Sequence, residues 1–102
     1  MLSKPEILEL FSGVPKEQRS FVEDTIDEYV FFGSESEKLR QLPLIRVDKR
    51  DPEHQQITAA GRQIKDYSNI IDAKRKTLLK ILGKYAPSEA DKLREMMKEY
   101  GG

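Results

Sequence analysis

From residue 57 onward the chain places apolar residues in sevens. Ile57, Ile64, Ile71, Leu78 and Tyr85 are each seven residues apart, with Ala60, Tyr67 and Ile81 in the intervening positions and Lys74 as the one polar interruption. Apolar residues at this spacing share one side of an α-helix. Asp51-Pro52-Glu53 carries the chemistry of a helix start: a capping carboxylate, a proline at the first helical position and an acid in the first turn. The pattern therefore predicts one long helix over residues 52–86, roughly 45 to 50 Å at 1.5 Å per residue. A second helical pattern precedes it. After Pro15, Phe21, Val22, Ile26, Tyr29 and Val30 recur at spacings of three and four, while Glu23, Asp24, Asp27 and Glu28 crowd the other side. Phe31-Phe32-Gly33 either bends this helix or lets it run to Leu39 and Leu42, with Pro43 as the stop. A helix as long as the first needs a surface to bury against, so the predicted fold is all-α: a long helical hairpin of residues 15–42 against 52–86. Residues 43–51 break the helical period and alternate weakly, which predicts an extended connector with no second strand to pair with.

Short helices flank the hairpin. Ser3-Lys4-Pro5-Glu6 reads as a capping box opening a helix with Ile7, Leu8, Leu10 and Phe11, closed by Gly13. At the other end, Ser88 as cap and Asp91 three residues on start a last helix over residues 88–100, before Gly101-Gly102. Its stripe of Leu93, Met96, Met97 and Tyr100, with Ala90, either packs on the hairpin or docks on a larger protein partner, since methionine-rich helices repack on different surfaces. No internal repeat divides the chain, and residues 1–102 read as a single domain, with an N-terminal helix in 1–14 and the hairpin in 15–86.

Composition sharpens this picture. Hydrophobic residues make up 37% of the chain and charged residues 35%, a lean core for an isolated domain of this length, so self-association through the seam of Ile57, Ile64, Tyr67, Ile71, Leu78, Ile81 and Tyr85 is expected. There is no cysteine, which removes disulfides, thiolate ligands and cysteine nucleophiles together and fits a reducing, cytoplasmic setting. No apolar run approaches the roughly 18 residues that span a bilayer. No glycine-rich phosphate loop, Walker lysine or Ser-His-Asp set is present, and His54 is the single histidine. The expectation is a chain without catalysis, metal or cofactor, and the acidic quartet Glu23, Asp24, Asp27 and Glu28 reads as a solvated face rather than as a metal site.

Charge is distributed unevenly. Residues 1–53 carry a net −4 and residues 54–102 a net +4. Seven cations, Arg62, Lys65, Lys74, Arg75, Lys76, Lys80 and Lys84, stand against Asp66 and Asp72 in residues 62–84. Lys76, Lys80 and Lys84 fall four apart on one helix face, a geometry that follows the phosphates of double-stranded DNA or simply keeps the outer face in water. No aromatic is interleaved with the lysines, which disfavours base stacking on single strands.

The stretch from Asp51-Pro52 to Leu82, above all Ile64-Lys65-Asp66-Tyr67-Ser68-Asn69-Ile70-Ile71, resembles a segment of phage terminase small subunits, where it likewise follows an acidic helix and a non-helical connector. The likeness extends over residues 20–85. It implies a DNA-packaging accessory protein of a phage or prophage, acting in the bacterial host cell, that forms a homo-oligomer, commonly a ring, holds the viral genome and hands it to a large subunit bearing the ATPase and nuclease. The N-terminal DNA-binding domain of many such proteins is absent or much reduced here, so the resemblance carries over for the oligomerising hairpin rather than for sequence-specific reading. The rival reading is a helical adaptor that grips another protein and binds no DNA.

Overall fold

In the computed structural model, residues 2–43, 45–47 and 55–99 are described. The fold is all-α: two long helices pack against each other as a hairpin, and a short helix flanks it at each end. Helix α1 spans Lys4–Glu9, α2 Lys16–Leu39, α3 Ala59–Tyr85 and α4 Pro87–Glu99.

The amino-terminal helix starts as its sequence predicts. Ser3 is extended at the N-cap, and Glu6 reaches back to it: the Ser3 N–H and hydroxyl both donate to Glu6 Oε1, at 3.4 and 2.7 Å. The turn after α1 brings Phe11 and Val14 inward beside Leu2 and Ile7, and all four are buried. Helix α2 then runs on through Phe31-Phe32-Gly33 without a break and buries Val22, Thr25, Ile26, Tyr29, Gly33 and Ser36 on one face.

The connector departs from expectation. Ile45–Val47 (β1) pairs antiparallel with Gln55–Ile57 (β2), with Ile45 opposite Ile57. Helix α3 therefore begins seven residues later than predicted. Its N-cap is Thr58, whose hydroxyl oxygen accepts from the Gly61 N–H at 3.1 Å and whose hydroxyl donates to the Pro43 carbonyl at 2.6 Å. The capping motif at residues 51–53 and His54 lie outside the described residues. Ile57, assigned to the helical seam, is instead a strand residue and 45% exposed.

Helix α3 ends where Pro87 forces it to. Ala86, the residue before the proline, leaves the helical region at φ −151°, ψ 73°. Pro87 itself opens α4, so Ser88 lies inside the helix rather than capping it, and the Ala86 carbonyl accepts from Glu89 and Ala90. This one-residue corner folds α4 back along α3.

The core is gathered at one end. Leu2, Ile7, Phe11 and Val14 from the amino-terminal segment meet Val22, Ile26 and Tyr29 of α2, Ile71, Leu78 and Leu82 of α3, and Ala90, Leu93 and Met97 of α4. Toward the strands only α2 and α3 remain, joined there by Phe32 and Tyr67, whose ring centroids are 5.1 Å apart. The molecule is a rod, 59 × 22 × 18 Å. Among the described residues, no helix is long and apolar enough to cross a membrane.

Candidate functional site

The buried face of α3 decides which cations are free to meet a ligand. Ile64, Ile71, Leu78 and Leu82 are buried, and Tyr67, Leu79 and Ile81 pack at their margins. The predicted seam thus exists through its middle, at Ile64, Tyr67, Ile71 and Leu78, but it is closed against α2 of the same chain. Tyr85 lies off it, 36% exposed, and Leu82 takes the buried position at that end. The expected route to self-association through these residues is accordingly occupied within the protomer.

At 3.6 residues per turn, Arg62, Lys65, Lys76, Lys80 and Lys84 fall on the side of α3 opposite the buried face, and all five are exposed. From Arg62 to Lys84 the line is about 33 Å long at 1.5 Å per residue. Among the described residues Arg62, Lys65 and Lys80 reach no anionic side chain, Lys76 lies 3.1 Å from Asp72, and the Lys84 ammonium stands 5.3 Å from the Tyr85 ring centroid.

Lys74 and Arg75 leave this set. Lys74 Nζ is 2.6 Å from Glu28 Oε2 across the hairpin, which explains how a lysine sits in the seam. Arg75 is half-buried, 3.4 Å from Asp72, and stands beside the buried Tyr29. Burial raises the Tyr29 phenol above its ordinary pKa, and the neighbouring guanidinium opposes that shift. The Arg75 Nε is buried and has no hydrogen-bond partner among the described residues.

The acidic side of α2 is partly spoken for. Asp27 pairs with Lys4 of α1 at 2.9 Å, which raises the Lys4 pKa, and Glu28 pairs with Lys74. Phe21 and Phe31, by contrast, are 54% and 56% exposed. In α4, Leu93 and Met97 are buried and Met96 packs against the same cluster, so these residues line the protein's own core; Tyr100 lies outside the described residues. Reading along the sequence missed a second cationic group: Arg94 and Lys98 of α4 come beside Arg75 and Leu79 of α3. Their i, i+4 spacing is visible in the sequence, but the meeting with Arg75 follows from the turn at Ala86. No protein family, curated protein or solved structure matches the chain.

Proposed function

We propose that this chain is a non-catalytic module that holds double-stranded DNA by its phosphate backbone. The observation that supports this is the outer face of α3: five exposed cations, Arg62, Lys65, Lys76, Lys80 and Lys84, aligned on a helix whose opposite side is buried. Its length of about 33 Å is close to one turn of B-DNA, roughly 34 Å. Such a surface reads charge rather than sequence, because four of its five cations are lysines, which meet phosphates as point charges. In its finer form the proposal is a phage DNA-packaging accessory protein similar to a terminase small subunit, working as a homo-oligomer with a large-subunit partner. Copies would then associate through surfaces other than the Ile/Leu seam.

The test is DNA affinity as a function of salt. Each phosphate neutralised contributes about −0.9 to the slope of log K against log salt, so replacing Lys76, Lys80 and Lys84 by Gln is expected to flatten the slope by roughly 2.7. No binding at low salt, or a slope unchanged in the triple variant, would sink the proposal. Light scattering at two salt concentrations separately tests the homo-oligomer.

The second reading, a helical adaptor for another protein with no DNA binding, rests on Phe21 and Phe31. Two large apolar side chains exposed on one acidic helix are what a protein-docking face offers. Substituting both by Ser would then abolish partner capture and leave the salt dependence of DNA binding untouched.

A further inference from the structure

Between α3 and α4 lies a crevice of about 210 Å³ lined by Arg75, Leu79, Arg94, Met97 and Lys98. Two features set it apart from an ordinary dent between helices. Its apolar wall is made by Leu79 and the inner methionine, Met97, and three cations surround that wall. Further, the Arg75 guanidinium at its edge is half-buried, so a charge meeting it there is less screened by water than at an open surface. The competing acids are close but poorly engaged: Asp72 lies 3.4 Å from Arg75 and Glu95 3.7 Å from Lys98, and Asp91 alone, at 2.8 Å from Arg94, makes a short contact.

We propose that this crevice binds a small amphipathic anion, a carboxylate or phosphate head on a short hydrocarbon tail. The head meets the terminal N–H groups of the Arg75 guanidinium, a planar fork suited to both oxyanions. Arg94 and Lys98 close over the head from α4, exchanging their exposed intrahelical pairs, which contribute little in water, for the ligand. The tail lies on Leu79 and Met97. A volume of this size holds about seven waters at roughly 30 Å³ each, which matches a chain of about six carbons with its head group. Binding here is separate from the outward cations of α3, since Arg94 and Lys98 belong to another helix and Arg75 faces inward.

The experiment follows the ¹³C-labelled Met97 methyl signal while hexanoate, hexyl phosphate, hexanol and inorganic phosphate are titrated in turn into the full chain. One or both amphipathic anions are expected to move the signal saturably, and their relative affinities identify the preferred head. An Arg94→Gln/Lys98→Gln variant, altered only at exposed positions and checked for helicity, is expected to bind about tenfold more weakly. Three results would overturn the proposal: no saturable shift with either anion, an equal response to hexanol or to inorganic phosphate, or undiminished affinity in the double variant.

Discussion

Lys74 and Glu28 meet across the hairpin, Nζ to Oε2 at 2.6 Å, at the one position where a lysine interrupts the seam of α3. Both side chains keep substantial contact with water, with 31% and 49% of their surface exposed, so the pair contributes at most about 1 kcal/mol. Lys74→Met, which continues the apolar seam, is expected to change unfolding free energy by less than about 1 kcal/mol in urea titrations. Glu28→Lys, which sets two ammonium groups face to face, is expected to lower it by about 1 kcal/mol. The ranking of the two variants is the check.

Tyr29 connects stability to alkaline pH. Burial raises the phenol above its ordinary value of 10.0, with Arg75 opposing. The neutral phenol's contribution is therefore complete below about pH 10, where both states are protonated, and is lost as pH rises through the raised folded value. Lys4 behaves in the same direction, because Asp27 raises it from 10.5. Urea midpoints measured from pH 8 to 11 are expected to fall more steeply in the parent than in Tyr29→Phe, with the Lys4 contribution present in both. Equal slopes would show that Tyr29 ionises as it does in the unfolded chain.

Helix α4 is held by its inner side chains. Leu93 is fully buried, and Leu93→Ala is expected to cost about 2–5 kcal/mol through lost burial and the cavity left behind. Tyr85→Ala, one residue before the corner and exposed, is expected to cost less than about 1 kcal/mol. Thermal melts of the two proteins distinguish an α4 that belongs to the core from one that rides on it.

Thr58 fastens both ends of the connector, capping α3 through Gly61 and donating to Pro43. Thr58→Ala is expected to cost about 0.5–2 kcal/mol, and Thr58→Ser to recover most of it, because the serine hydroxyl makes the same two bonds. Circular dichroism during urea unfolding reports the difference.

Much of this architecture was legible in residue spacing. The capping chemistry of Ser3 and Glu6, the continuous stripe of α2 and the middle of the α3 seam are local properties that period and cap residues encode. The start of α3 and the last position of its seam were not. At its start, Asp51-Pro52-Glu53 offered better helix-start chemistry than Thr58, but Gln55–Ile57 pairs with Ile45–Val47, a choice decided by partners ten residues apart. At its end, a strict sevenfold repeat drifts by about 20° per heptad on a straight helix, so the stripe passes from Tyr85 to Leu82. Among the cations, helix angle alone separated the outward five from Lys74 and Arg75. The grouping of Arg75 with Arg94 and Lys98 depends on how α4 folds back.

The gathering of the buried cluster at one end of the rod gives the molecule a graded resistance to opening. Amide protons of α2 and α3 around Ile26, Tyr29, Leu78 and Leu82 sit where four helices meet and are expected to exchange with solvent only when the whole domain unfolds. Those near Leu39 and Ala59 are released by parting two helices at a tip held by the Phe32–Tyr67 contact and a three-residue ladder. Arg62 and Lys65 ride on the yielding tip and Lys76, Lys80 and Lys84 on the rigid head, so a long polyanion bound to all five would act as a splint.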